Sequence, residues 1–229
     1  MKIIAVRIGD RYGPEYETYL ENKLPQHEFI WIRQPIQDNI QLQWNKMYGM
    51  TLDIDEPICV MDIDVLLLGD YQKIFDYPIE RGQFLAMPGW WREEPSYEIN
   101  GGFYKYYPKE CNKILEKFMN DPVYWQSYYI KRGLTSGPVN GEQFFIEDTV
   151  KYDTDLELVV LPKAWFARME ARKEDFTKHT VTALNRKYSA VTGNDFMFLG
   201  NEFHPDIKLV HFTNMNNHPM NWEKYHLFV

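Results

Sequence analysis

The chain has 229 residues, with 33 acidic and 25 basic side chains and a formal net charge of −8. That balance excludes a general binder of nucleic acid or of anionic membrane surfaces, both of which need a positive face. The two cysteines, Cys59 and Cys111, provide neither a disulfide framework nor a zinc spacing, and no apolar stretch reaches the length of a membrane span.

The length suits one domain covering 1–229, and the absence of a leader-like or spanning segment sets the expectation of a soluble cytoplasmic protein (host cytoplasm, were the chain viral). Lys2 to Ile8 reads as a first strand, closed by a turn through Gly9, Asp10, Tyr12 and Gly13. Pro14 is placed to open a helix through Tyr16, Tyr19 and Leu20, because its missing N–H is not needed there. Glu28 to Ile32 is a second strand, and Gln41 to Met50 is expected to be helical. This alternation predicts parallel strand–helix–strand units.

The next strand carries the feature around which the chain is organised. Ile58-Cys59-Val60-Met61 is an apolar run of strand length, Asp62-Ile63-Asp64 follows, and a second apolar run, Val65 to Leu68, comes at once. In open α/β sheets the carboxyl ends of the strands face the ligand. Side chains alternate in an extended segment, so Asp62 and Asp64 are expected to point the same way. Two hard oxygen donors side by side suit a divalent cation, Mn²⁺ or Mg²⁺, that also holds phosphate oxygens. Acids are common wherever strands stop, so the pair acquires meaning only from its surroundings.

Further along, a short helix is expected around Gln72 to Phe75 and a strand over Gln83 to Pro88, followed by an aromatic loop with Trp90 and Trp91. Asn100-Gly101-Gly102 reads as a turn-like start to a strand ending near Tyr107. Helices over Lys109–Asn120 and Val123–Lys131 are separated by Asp121-Pro122, and a short helix opens at Gly141 to Ile146. Leu156 to Leu161 is a strand, Arg168 to Lys187 a charged helical excursion or mobile surface segment, and Lys208 to Phe212 a last strand carrying His211. Imidazole accepts Mn²⁺ readily, so His211 would complete an Asp/Asp/His set if the two strand ends met.

Four segments together resemble the GT-A fold glycosyltransferases, in particular the family 8 group of glycogenin and the bacterial lipopolysaccharide galactosyltransferases. They are Val60 to Leu67 with Ile74-Phe75-Asp76, Ile99 to Phe103, Asn140 to Phe145, and Leu209 to Phe212. The short length is similar to that of compact chlorella-virus members of this type. The resemblance implies a Rossmann-like α/β fold with a central, mostly parallel mixed sheet flanked by helices. It also implies transfer of a hexose or deoxyhexose from a UDP-sugar donor to a glycan or glycoprotein acceptor, with retention at the anomeric carbon. On the same basis Asp62, Asp64 and His211 would hold the metal, and Glu142 and Gln143 would face the anomeric carbon. Val6, Gly9, Asp10, Tyr12, Asp62, Ile63, Asn100, Gly101 and Gly102 would border the donor.

This sequence departs from the family pattern at three places. Asn214 stands where the family has a glycine, and His218-Pro219 lies one residue late, which leaves His218 or Lys224 to grip the diphosphate. The acidic position is Glu142 rather than Asp. The basic residue expected before the Asp62 strand has no clear counterpart, and only Lys46 offers itself. Two other readings stay open: a haloacid dehalogenase-type phosphatase, whose signature also ends a strand in D-x-D, and a non-catalytic module that binds nucleotide sugars. The phosphatase motif belongs on a first strand, whereas here two strand–helix pairs precede it.

Overall fold

A computed structural model describes residues 1–89, 97–170, 197–200 and 207–213. The chain forms two compact units, one made of Met1–Gly13, Leu24–Ile63 and Pro78–Val160, the other of Pro14–Lys23, Asp64–Tyr77 and Leu161–Val229.

The first unit is built on a six-stranded sheet. Its strands are β1 (Lys2–Val6), β2 (Glu28–Ile32), β3 (Ile58–Met61), β5 (Gln83–Pro88), β6 (Ile99–Tyr106) and β7 (Glu157–Val160), in the spatial order β2-β1-β3-β6-β5-β7. β1 pairs in parallel with both β2 and β3, as the expected strand–helix–strand alternation requires, and β5 pairs in parallel with β7. β6 runs against both of its neighbours. The sheet is therefore mixed and mostly parallel. β3 is buried along its whole length, which explains why it reads as an unbroken apolar run rather than an alternating one.

The helices of this unit are α3 (Asn112–Asn120), α4 (Pro122–Lys131) and α5 (Glu142–Asp153). Asp121, which lies between α3 and α4, caps the latter by accepting a hydrogen bond from the Tyr124 N–H at 2.9 Å, with Pro122 at the first helical position. Trp44, Phe118 and Phe145 meet ring to ring in the core. The segment expected to be helical over Gln41–Met50 is a helix of the 3₁₀ type, Leu42–Thr51. α5 is longer than the short helix expected there and runs to Asp153.

β6 starts at Ile99, so Asn100-Gly101-Gly102 lies inside the strand and not in a turn before it. Along β5 the register jumps between Ala86, opposite Tyr104, and Met87, opposite Asn100. Gly101 to Phe103 thus form a bulge that leaves β5, and Phe103 pairs with Met61 of β3.

The second unit contains α1 (Pro14–Lys23), α2 (Gln72–Asp76) and a four-stranded sheet. That sheet is made of β4 (Val65–Leu67), β8 (Phe166–Glu170), β9 (Met197–Gly200) and β10 (Leu209–Thr213), in the order β4-β10-β8-β9. Part of the segment expected to be a charged helical excursion, Arg168–Glu170, belongs to β8; the rest, 171–187, lies outside the described residues. Lys208 is buried, and its ammonium lies 2.7 Å from Asp70, so each charge has a partner. Lys208 and Lys73 together hold the Asp70 carboxyl at about 2, below its usual value.

Asp62 and Asp64 do not lie in an extended segment. β3 stops at Met61, β4 begins at Val65, and the chain bends over Asp62-Ile63-Asp64 because the two apolar runs enter different sheets. Alternation along one strand therefore does not set the directions of the two carboxylates.

Candidate functional site

In the first unit the residues expected near a donor gather at the carboxyl edge of the sheet. Ala5 of β1 is in register with Met61 of β3, so the Val6–Tyr12 turn and Asp62 leave neighbouring parallel strands on the same edge. In that turn Gly9 adopts a φ of +79°, Asp10 is exposed, and the Tyr12 carbonyl accepts from the Arg7 guanidinium at 3.3 Å. The start of β6 lies at the same edge because β6 runs in the opposite sense, and the Gly102 carbonyl accepts from the Asp62 N–H at 2.9 Å.

Lys46 is at the centre of this group. Its ammonium lies 2.7 Å from Asp62 Oδ1, donates to the Gly101 carbonyl at 2.6 Å, and is 3.8 Å from Glu142 Oε2. The side chains of Lys46 and Glu142 are 3% and 4% exposed, so both charges are removed from water and depend on each other. Burial raises the Glu142 carboxyl from its ordinary value to about 7. Lys46 opposes the rise, Asp62 adds to it, and the Tyr104 hydroxyl opposes it. Glu142 Oε1 has no hydrogen-bond partner among the described residues.

Close packing explains Gly101. A Cβ there would meet Glu142 Oε2 at 2.8 Å, the Tyr104 hydroxyl at 3.2 Å and Lys46 Nζ at 3.3 Å. Any side chain would wedge the buried ion pair apart. Gly141, immediately before α5, has a φ of +142°, a conformation open to glycine and strained for other residues, and it lets Glu142 open the helix.

α5 is also tied to β6 through its side chains. Gln143 Oε1 accepts from the Gly101 N–H at 2.9 Å and from Asn100 Nδ2 at 3.3 Å, while Asn100 Oδ1 accepts from the Gly102 N–H at 2.9 Å. One turn later the buried Glu147 carboxylate accepts from the Glu98 N–H at 2.9 Å and the Ile99 N–H at 3.0 Å, and Lys151 donates to it at 2.8 Å. Gln143 thus orients the glycine-rich strand start, and Glu147 takes up backbone donors where the regular ladder with β5 ends.

In the second unit β10 pairs antiparallel with β4, with His211 opposite Val65. His211 is buried, and its Nε2 lies 3.5 Å from Asp64 Oδ1. Asp62 is separated from Asp64 only by Ile63 along the chain. Asp64 and His211 thus meet within the second unit, and the ligand set expected from the sequence, these two with Asp62, comprises two carboxylates and one imidazole. Hard oxygen donors with one borderline nitrogen suit Mn²⁺ and also admit Mg²⁺, so the donor set fits the expected cation class.

No protein-family model matches the sequence, and no curated protein is similar to it in sequence. Solved structures do match. The apo form of the glycosyltransferase GlyE of Streptococcus pneumoniae TIGR4 aligns over 100% of this chain and 60% of its own, with 10% identity and a TM-score of 0.55. The fold is GT-A. Mouse xyloside xylosyltransferase 1 in its apo form shares this fold over 94% of the present chain and 99% of its own, with 10% identity and a TM-score of 0.50. A glycosyltransferase involved in glycosylation of the major capsid of PBCV-1 aligns over 97% of this chain with 12% identity, at a lower TM-score of 0.47. The chain spans 60% of the length of GlyE.

Two residues at this edge of the sheet were under-read from sequence. Lys46 was only a candidate, although a lysine between Trp44-Asn45 and Met47 signals a buried charge in need of a partner. Glu147 was missed, although it follows Gln143 by one helical turn and shares its face. His218, Asn214, Lys224, Trp90 and Trp91 lie outside the described residues. Among the described residues no helix is long and apolar enough to cross a membrane.

Proposed function

We propose that this chain is a metal-dependent glycosyltransferase acting as one GT-A domain. It moves a hexose or deoxyhexose from a UDP-sugar to a glycan or glycoprotein acceptor with retention at the anomeric carbon. The observation that carries this reading is the buried Lys46–Asp62–Glu142 cluster under Gly101, at the carboxyl edge of a GT-A sheet. Asp62, Asp64 and His211 would hold the divalent cation, Mn²⁺ or Mg²⁺. When bound, that cation supplies positive charge to the diphosphate and eases its departure.

The chain's own residues do the rest. Lys46 holds the Asp62 carboxylate and the Gly101 carbonyl in place, so the metal-facing acid and the donor-facing strand form one rigid element. In its ionised form, reached as pH rises through about 7, Glu142 sets a negative charge beneath Gly101, where positive charge developing at the anomeric carbon gains most from it in a site of low polarity. Its 4% exposure favours this electrostatic role over direct attack on the sugar. Gln143 and Asn100 orient the strand start, and the Val6–Tyr12 turn, with Gly9 and Asp10, borders the nucleoside. From the sequence, His218 or Lys224 would supply a further contact to the diphosphate.

A thermal-shift screen of UDP-sugars with and without Mn²⁺ tests the reading. A true donor raises the unfolding temperature only in the presence of Mn²⁺, by an amount set by its concentration relative to Kd. Hydrolysis of that donor, followed by NMR of the released sugar, then reports retention. Absence of a Mn²⁺-dependent shift with every UDP-sugar would refute the proposal.

A further inference from the structure

The outer side of α5 forms part of a cleft of about 640 Å³ that none of the donor-facing residues Lys46, Asp62, Gly101 or Glu142 lines. α3, α4 and the residues just before β6 complete its walls. Its three cations each contact an acid, and with four acids in the lining the formal sum is −1. Lys117 lies 2.8 Å from Asp153, Lys151 lies 2.6 Å from Glu98 and 2.8 Å from Glu147, and Arg132 lies 3.6 Å from Asp148. Such a lining has little net field with which to draw in a phosphate, a sulfate or a metal ion.

One end of the cleft sets spare hydrogen-bonding capacity beside aromatic rings. Asp148 Oδ2 accepts from the Tyr97 and Tyr129 hydroxyls, each at 3.0 Å, and Arg132 Nη1 donates to the Tyr97 hydroxyl at 3.3 Å. Asp148 Oδ1 and the other N–H groups of Arg132 have no partner among the described residues, so an acceptor and a planar donor stand side by side. The Arg132 guanidinium lies 5.5 Å from the centre of the Tyr128 ring, and the Tyr152 ring in the same lining is 78% exposed.

A neutral sugar meets each of these features. One face of its ring is C–H and packs on an aromatic side chain. Of two adjacent hydroxyls, one can donate to a carboxylate while the other accepts from a guanidinium. Concave sites of this size, with aromatic walls and a few convergent polar groups, are where small ligands bind. We propose that the cleft is a carbohydrate-binding site for neutral oligosaccharides, separate from the donor site, with Arg132, Asp148, Tyr128 and Tyr152 as its contact residues. A glycan held there would raise the local concentration of acceptor chains around the enzyme.

The test uses the full chain with EDTA and without nucleotide, applied to an array of neutral hexose, pentose and N-acetylhexosamine oligosaccharides. The oligosaccharide retained best is then titrated calorimetrically. Retention is expected, and Arg132→Ala and Tyr152→Ala should each weaken it by about tenfold, the effect of removing one good polar or stacking contact. Both side chains are at the surface, so an unchanged unfolding transition separates lost contact from lost fold. Asp64→Ala should bind as the parent does, and UDP-sugar hydrolysis by Arg132→Ala should be unaltered. Retention of no neutral oligosaccharide, unchanged affinity in both cleft variants, or loss of binding in Asp64→Ala would each overturn the proposal. The last of these would place the glycan at the donor site instead.

Discussion

The ammonium of Lys46 lies 2.7 Å from Asp62 Oδ1 while only 3% of the lysine side chain is exposed. A charge so placed is costly unless its partners stay, and it ties the stability of the protein to the geometry of its candidate site.

Lys46→Met leaves the buried Glu142 carboxyl and the half-buried Asp62 carboxylate without their cation. The expected loss of stability is about 3–5 kcal/mol, together with loss of donor hydrolysis. Urea unfolding measures the first and a UDP-release assay the second. An unchanged urea midpoint would show that Lys46 is solvated and not buried against the two acids.

Asp64→Ala and His211→Ala remove ligand atoms from the candidate metal site without touching the Lys46 cluster. Both are expected to weaken Mn²⁺ binding, read by calorimetric titration, and to remove the Mn²⁺ dependence of UDP affinity. Asp64→Ala should keep the parent circular dichroism spectrum. Wild-type Mn²⁺ affinity in either variant would remove that residue from the site.

Glu142 couples pH to both stability and rate. Its folded carboxyl titrates at about 7 against an ordinary 4.5, chiefly because burial disfavours the charged form. Between these values the folded protein binds more protons than the unfolded chain. Stability from this group is therefore fully present below pH 4.5 and declines as pH rises to about 7, by about 3 kcal/mol in all. Glu142→Gln should flatten that decline in urea titrations at successive pH values. If the carboxylate stabilises charge only in the transition state, the same variant should lower kcat strongly and leave donor Kd little changed. An unaltered kcat would remove Glu142 from the mechanism.

Gly101→Ala inserts a methyl group 2.8 Å from Glu142 Oε2 and 3.3 Å from Lys46 Nζ. Forced repacking of this kind costs about 1–3 kcal/mol. Because the wedge enters the ion pair, donor hydrolysis should fall by more than the loss of stability explains. Equal stability and activity in Gly101→Ala would mean that the strand start has room to move.

Much of this arrangement was legible in the residues themselves. The buried strand β3 announced itself as an apolar run, Pro14 marked a helix start, Asp121-Pro122 marked the break between two helices, and Asp62 and Asp64 drew notice as acids where a strand stops, whereas Glu142 came from the family resemblance. What stayed hidden was set by distant pairing. Nothing local to Val65–Leu67 says that it joins β10 and not β3's sheet, so the bend at Asp62–Asp64 could not be foreseen. The segment Asn100-Gly101-Gly102 has the composition of a turn, yet it is strand because β3 and α5 supply its partners. Lys46 became legible only once Asp62 and Glu142 were brought to it from 16 and 96 residues away along the chain.

The amides of Glu98, Ile99 and Gly101 are bonded to Glu147 and Gln143 side chains on α5. Their protection from solvent exchange therefore follows the opening of that helix. A helix that loosens transiently at its first two turns frees the three amides together, and the start of β6 loses its shape while the sheet beneath stays intact. The two carboxyl-edge elements thus constitute one cooperative element of local unfolding, and a ligand that orders either one slows exchange in both.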